Sequence, residues 1–519
     1  MPLRRVRSRL PVAKTDSRIA ELTTHPEPEL VFAIVAPVGC DLDVFQGLFE
    51  GIIRQYGYSV NILRLSALVD RFDVQHLGIT LIKEPEYQRI DSHMTAGNKL
   101  RGLAGFGDIM ALYAIAEIRK GRQVGSDRRT APIAKRIHLL RSLKHPAEVE
   151  ALRRVYGAGF FLIGLHATEE QRRAYLRGPL GMTPDEAQAL MNRDQEEADP
   201  LGQQTRDTFT LADVFVQAGR EREQLERFLD IVFGHPYHTP RRDEHAMFLA
   251  YGASLRSAQL ARQVGAVVVS AGGEIIGTGA NDVPRFGGGQ YWSDDPSDRR
   301  DHVEGYDAND REIDRIADAI VDCAREAAKT VNEEQLRRLV KESPLADVTE
   351  YGRPVHAEME ALLACARTGT STKEGTLYTT TFPCHNCAKH IVAAGITRVV
   401  YVEPYPKSKA LALHSDSIAL DDQGASERVH FVPFVGIAAR RYFDLFSMRL
   451  GDGLEIRRKR EGATIQWLRT GATPRIRMAP YSYLERETKI TAEEFDKAVE
   501  RIQKAAARTE SNASTSKAE

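Results

Sequence analysis

His356-Ala-Glu358 and Pro383-Cys384-His-Asn-Cys387 hold the residues whose types and spacing point most directly to chemistry. One histidine and two cysteines offer three soft-to-borderline donors. That set suits Zn2+ and leaves the fourth tetrahedral position open, as in a catalytic site. A metal held so lowers the pKa of its water toward ~7. Glu358, two residues from the histidine, is spaced to carry protons beside the metal as a general acid–base. A structural zinc knuckle would want a fourth protein ligand and has no use for that carboxylate.

These groups need elements to hold them. Met359, Leu362 and Leu363 follow His356 at helical spacing, and Ile391 and Val392 follow Cys387, with Gly395 as a C-terminal stop, so each motif opens a helix. Cys384 and Cys387 then share one face, and the positive end of the helix dipole favours thiolate sulfur. Upstream, a helical stretch from Asp243 to Leu260 leads into Val264-Gly-Ala-Val-Val-Val-Ser270 and Ile275-Ile-Gly-Thr-Gly-Ala-Asn281, two strands around a Gly-Gly turn that read as a hairpin. Residues 284–350 break the pattern. They open with Gly287-Gly-Gly289, are dense in Asp, Glu and Arg, and carry one amphipathic helix from about Asp310 to Ala328, so they read as an insertion. His385, His390 and His414 read as surface or supporting histidines, Cys365 and Cys323 as buried small hydrophobes. A second zinc on His302 is the weaker reading of the insertion.

The N-terminal half has a different grammar. Leu30-Val-Phe-Ala-Ile-Val-Ala is a buried strand, Pro37-Val-Gly-Cys-Asp-Leu-Asp43 a glycine turn, and Val44, Leu48, Ile52 and Ile53 mark a helix. Gly159-Phe-Phe-Leu-Ile-Gly-Leu and Ala212-Asp-Val-Phe-Val216 are further strands, giving an α/β domain with a P-loop-like parallel sheet over 29–235. A working P-loop reads G-x-x-x-x-G-K-[ST]. Here the Lys and the hydroxyl are missing, and Asp41 and Asp43 would repel phosphate, so kinase chemistry is not expected. Gly202-Gln203 and Asp207 add a resemblance to nucleoside-phosphate kinases.

Whole-chain properties narrow the field. A length of 519 residues fits two to four domains. Lys plus Arg number 71 and Asp plus Glu 72, so no overall basic field draws the chain to nucleic acid. Arg4, Arg5, Arg7 and Arg9 lack the apolar core of a secretory signal, and no apolar run approaches the ~20 residues of a membrane helix. A cytoplasmic chain with reduced cysteines is expected. Residues 1–28 and 505–519 are polar, aperiodic tails.

Arg262-Gln-Val-Gly-Ala-Val, Gly277-Thr-Gly-Ala-Asn281, His356-Ala-Glu358 and Leu377-Tyr-Thr-Thr-Thr-Phe-Pro-Cys384 together resemble the deoxycytidylate deaminase family over most of 243–440. H-x-E with P-C-x-x-C matches the signature of zinc nucleobase deaminases. The resemblance implies a CMP/dCMP-type deaminase domain over 240–480, of α/β/α form with a five-stranded sheet, that hydrolytically deaminates deoxycytidine nucleotides. It implies that Asn281 holds the sugar and that Ala357 lends a backbone amide to the base; without it, Asn281 reads equally as a turn residue closing the hairpin. The insertion, Met359 and the stretch Glu403-Pro-Tyr-Pro-Lys-Ser-Lys-Ala-Leu-Ala-Leu-His-Ser-Asp-Ser417 resemble the bacterial anti-phage dCTP/dCMP deaminases, which pair a degenerate P-loop kinase-like domain with a deaminase. That implies dCTP depletion in infected cells, a homo-oligomer, and a regulatory nucleotide, RNA or protein inhibitor at the N-terminal domain. Lys407 and Lys409 would suit phosphate neutralisation. Two other readings stand beside this one. A deaminase of cytosine in nucleic acid would want a basic groove with stacking aromatics. A non-catalytic, zinc-stabilised nucleotide-binding regulator would leave Glu358 without a task.

Overall fold

The computed structural model describes residues 27–69, 79–122, 131–195, 197, 199–327, 332–343, 345, 348, 350–420, 427–476, 478 and 480–504, so the expected tails fall outside it except for residues 27 and 28. The chain forms two compact units. One takes the chain up to Thr239 and again from Arg440, and the other is Pro240–Ala439. The second unit therefore stops about forty residues short of the expected boundary at 480. The segment after Arg440 is tied into the first unit by polar bonds that no hydrophobic pattern reveals. Arg441 Nε donates to the buried Asp213 at 3.2 Å, and the Arg475 N–H to Val232 O at 2.7 Å.

In the first unit, β1 (Leu30–Val35), α1 (Leu42–Arg54), β2 (Ser59–Arg64), α2 (Glu86–Ala104), β3 (Arg136–Arg141), β4 (Phe160–His166) and β5 (Val214–Gln217) follow one another. The strands hydrogen-bond in the order β5-β4-β1-β3-β2, every pair parallel. Central β1 is buried along its whole length, which is why it reads as an unbroken apolar run. Strands β2 and β3 escape a hydrophobicity reading because Ser59, Asn61 and Arg64 in one, and Arg136, His138 and Arg141 in the other, dilute the apolar signal. His138 is nevertheless buried. Its Nε2 lies 2.7 Å from Glu29, which also takes Arg122 Nε at 2.9 Å and the Tyr483 hydroxyl at 3.1 Å. Arg122 Nη2 reaches Glu487 at 2.9 Å, on the helix Pro480–Ile490. Buried charges survive only when paired in this way, and removing one partner of such a set costs about 3–5 kcal/mol.

In the second unit, α3 (Arg242–Ser254) precedes the hairpin β6 (Gly265–Val269) and β7 (Ile275–Ala280). The long helix α4 (Ala308–Ala327) lies in the insertion. Then come α5 (Ala357–Thr368), β8 (Thr376–Thr381), α6 (His385–Ala393), β9 (Arg398–Glu403), β10 (Ile418–Ala419) and β11 (Val429–Pro433). The sheet runs β7-β6-β8-β9-β11-β10. β6 pairs antiparallel with β7 and β8, and the rest is parallel. Five longer strands match the expected sheet; the two-residue β10 extends it.

Helix α5 lies almost on the backbone of β7. A Cβ on Gly279 would stand 2.2 Å from Ala357 O and 2.5 Å from Ala361 N, and one on Gly277 would stand 2.6 Å from both Ala361 O and Cys365 Sγ. Because residues two apart on a strand share a face, glycine at both positions makes a smooth track for the helix. Gly279→Ala should cost ~1–3 kcal/mol through overpacking, while Thr278→Ala on the opposite, exposed face should stay within ~0.5 kcal/mol. Thermal unfolding of the two variants checks the contrast, and equal losses would show that the close approach is not what matters.

Candidate metal centre and catalytic cavity

Both motifs sit at the start of a helix, that of Cys384 just after β8 and that of His356 just after an isolated bridge between Val355 and Asp282. His356 is the N-cap of α5 in extended conformation, and Cys384 is the N-cap of α6, its sulfur accepting the Cys387 N–H at 3.5 Å. Cys387 falls in the first turn of α6, and Glu358 in the first turn of α5. Two helix N-termini thus converge, each with unsatisfied amides that favour anionic groups such as thiolates.

The His356 Nδ1 lies 3.4 Å from both Cys384 Sγ and Cys387 Sγ, and the three donor atoms lie within 4.8 Å of one another. Tetrahedral zinc, with bonds of ~2.3 Å to sulfur and ~2.0 Å to nitrogen, sets such N and S atoms about 3.6 Å apart. The donor set therefore fits the ion in number, chemistry and spacing. Among the described residues this is the one His/Cys/Asp/Glu group so arranged, and His302 belongs to no such cluster.

Electrostatics follow the same geometry. The Cys384 thiol is pulled down to about 4 by hydrogen bonding from Cys387, against the cost of burial, with His356 contributing as well. Cys387, next to that negative sulfur and deeply buried, is pushed up. His356 is raised through its bond to Cys384. Glu358, 5% exposed, is raised by burial, and its Oε2 lies 3.6 Å from Cys387 Sγ. Burial thus disfavours the ionised form of this carboxyl and lifts its proton affinity.

A cavity of 240 Å3 opens over these groups. Its wall includes His356, Ala357, Glu358 and Cys384 together with Asn281, Val264, Thr381 and Phe382. All the expected site residues but the recessed Cys387 thus line one space, with Cys387 directly behind as a donor. Asn281 is also a main-chain clamp. Its Oδ1 accepts the Val264 N–H at 2.7 Å and its Nδ2 donates to Arg262 O at 2.8 Å, which commits half of its hydrogen-bonding capacity. Its place in the hairpin end and its place in the cavity wall are compatible.

Sequence reasoning did not find several lining groups. Arg262, with its guanidinium 5.0 Å from the Tyr405 ring centroid, is the basic residue on the wall besides His356. Lys407 and Lys409 are exposed and do not line it. Asp307, Asn309 and Asp310, all from the insertion, do. Asp307 accepts the N–H groups of Asn309 and Asp310 at the start of α4, and Asn309 donates to Val348 O at 2.8 Å, fastening two parts of the insertion together. No motif spacing links residue 307 to residue 356, so only the fold could show it. Cys365 is buried as expected, but Cys323 is exposed, because it lies on the solvent side of α4, whose buried residues are Ile313, Ala317 and Val321.

Residues 240–403 match the family model described as the cytidine and deoxycytidylate deaminase zinc-binding region. The C-terminal part of the chain carries a domain of that family, and the cofactor named in the description, zinc, is the one the donor group fits. The deoxycytidylate deaminase of Enterobacteria phage T2 is 47% identical over 55 residues, 11% of this chain and 29% of that protein. ComE operon protein 2 of Bacillus subtilis (strain 168) is 45% identical over 53 residues, 10% of this chain and 28% of that protein. The matched stretch thus spans under a third of these curated relatives. Among solved structures, the dCMP deaminase of cyanophage S-TIM5 in complex with dCMP and dUMP is 19% identical, over 38% of this chain and all of that one, with a TM-score of 0.23.

Removing any one donor should empty the centre. His356→Ala, Cys384→Ala and Cys387→Ala are each expected to lower bound zinc from about one ion per chain to near none. Elemental analysis of the purified proteins measures this, and full zinc in any of the three would remove that residue from the ligand set.

Proposed function

We propose that this protein hydrolytically deaminates deoxycytidine nucleotides, dCMP and dCTP, to the deoxyuridine nucleotides and ammonia. The observation that carries the reading is the buried Glu358 carboxyl beside a three-donor metal group, both facing one cavity. Bound there, zinc supplies the Lewis acidity that makes water nucleophilic near neutral pH. His356, Cys384 and Cys387 would hold it. Glu358 takes a proton from the attacking water and gives it to ring N3, then takes the remaining proton of the added hydroxyl and gives it to the amine, which leaves as ammonia; burial raises the proton affinity of this carboxyl. The first-turn amide of Ala357 is available to the base, and the uncommitted half of Asn281 to the sugar. Arg262 takes the phosphate, since it is the permanent cation on the wall.

The first unit is read as a degenerate P-loop kinase-like domain, on the strength of its β1-turn-α1 entry and the parallel pairing of β1 to β5. Lowering of the dCTP pool as a defence against phage, in the cytoplasm and as a homo-oligomer, completes the proposal. Among the described residues no helix is long and apolar enough to cross a membrane.

Purified protein offered dCMP, dCTP, CTP and a cytosine-containing oligonucleotide should release ammonia from the deoxynucleotides. Glu358→Gln should lose ~10²–10⁴-fold in kcat with zinc retained. Arg262→Ala should raise KM for dCMP ~10-fold or more while leaving deoxycytidine unaffected. Turnover of the oligonucleotide alone, or full activity in Glu358→Gln, would overturn the reading.

A further inference from the structure

The 240 Å3 cavity over the metal group falls below the ~300–1,000 Å3 that usually encloses a drug-sized ligand. A nucleoside with its cytosine ring at the metal therefore fills it, and the phosphates stand at its mouth. Burial marks which end is which. Ala357, Glu358 and Cys384 on the floor are at most 8% exposed, whereas Arg262 and Asp310 on the rim are exposed and Asp307 and Asn309 half-buried. Apart from the metal donors and Glu358, the charged groups lining the cavity are Arg262 on one hand and Asp307 and Asp310 on the other. One cation thus faces two carboxylates where the phosphates must lie.

The insertion's own bonds hold these carboxylates in place. Asp307 accepts the Asn309 N–H at 2.8 Å and the Asp310 N–H at 3.2 Å, which fixes the turn that starts α4. Asn309 Nδ2 donates to Val348 O at 2.8 Å, and its Oδ1 accepts the Tyr351 N–H at 3.3 Å, so the turn is tied to the segment that runs through Gly352 and Pro354 into His356. A second tie lies alongside. Arg353 Nη1 donates to the buried Asp301 at 2.7 Å and Nη2 to Arg299 O at 2.8 Å. The acidic rim is thereby anchored to the chain that carries the metal-binding histidine.

A monophosphate carries about −1.5 to −2 charges near neutral pH, and Arg262 neutralises part of that. Each further phosphate adds negative charge and meets no further cation on the wall. Two like unit charges ~8 Å apart in water change an affinity about twofold, and a triphosphate multiplies the number of such pairs.

We infer that Asp307 and Asp310 are specificity-determining residues that order the substrates by charge, favouring the monophosphate over the triphosphate. The inference rests on the deaminase reading, which puts the ring at the metal. dCTP remains a substrate and binds more weakly than dCMP. An oligonucleotide, with phosphates on both sides of its target base, is disfavoured by the same rim.

The test is isothermal titration of the full-length, zinc-loaded Glu358→Gln protein with deoxycytidine, dCMP, dCDP and dCTP at low salt, with and without Mg2+. dCMP should bind more tightly than dCTP. Asp307→Asn combined with Asp310→Asn should raise the ratio of dCTP to dCMP affinity about fivefold or more, and salt at ~0.5 M should shrink that gain. Asparagine caps a helix as well as aspartate does, so the turn survives, and a gain in affinity is something misfolding cannot produce. Asp322→Asn, exposed on α4 and not lining the cavity, should keep the wild-type ratio. Four results would overturn the inference: dCTP binding more tightly than dCMP before the substitutions, a ratio that the double variant leaves unchanged or that Asp322→Asn shifts equally, dCTP binding that the double variant weakens when Mg2+ is present, as carboxylates holding a cation for the polyphosphate would produce, or no binding of any of the four ligands. Ammonia release by the wild-type protein judges the deaminase reading separately, so failure of the one is told from failure of the other.

Discussion

Two alternate glycines on one strand set how near a helix can come, and the metal-binding group inherits its geometry from that distance. With Gly277 and Gly279 bare, α5 rests on β7 through backbone atoms. Backbone contacts leave little room for adjustment, whereas a layer of side chains can slide or change rotamer. His356 and Glu358 stand at the end of α5 nearest that contact, so their positions are fixed by main chain. Cys384 and Cys387 arrive from the next crossover, at the head of α6. Neither helix alone supplies a metal site. Their N-termini must meet, and the β6–β8 pairing, which lies between their strands, brings them together.

The first unit shows the opposite use of a helix N-terminus. There the Val38, Asp43 and Val44 amides are spent on Asp194 and Asp41, and Lys144 is spent on Asp194 and Ala36 O. The same electrostatic preference that draws thiolates toward a metal in one unit draws carboxylates into the turn of the other.

Much of the site was legible because its chemistry is local. His356, Glu358, Cys384 and Cys387 lie in two short motifs whose residue types have few competing uses, and the hairpin and both helices followed from simple periodicity. Strands β2 and β3 were not legible, since buried polar residues such as His138 are held by partners distant in sequence. The boundary at 439 was hidden for the same reason, because Arg441 and Arg475 look like surface residues until Asp213 and Val232 are placed beside them. Asp307 and Asn309 reach the cavity through an insertion whose path no spacing rule encodes. Cys323 was misjudged because cysteine's average preference for the interior says nothing of which face of α4 it occupies.

The first unit is written in two instalments, with residues 240–439 between them. Synthesis runs in one direction, so a ribosome completes the whole of the second unit before Arg441, Arg475 or Glu487 exists. Until then Asp213 lacks Arg441, and Arg122 and Glu29 await Glu487 and Tyr483. The metal-binding unit can thus finish its own sheet while the first still lacks the groups that neutralise its interior. A chain cut short after 439 would keep every residue of the H-x-E and C-x-x-C motifs and would lose instead the integrity of the half that comes first. The integrity of the first unit thereby depends on side chains such as Arg441 and Glu487 that follow the H-x-E and C-x-x-C motifs in the sequence.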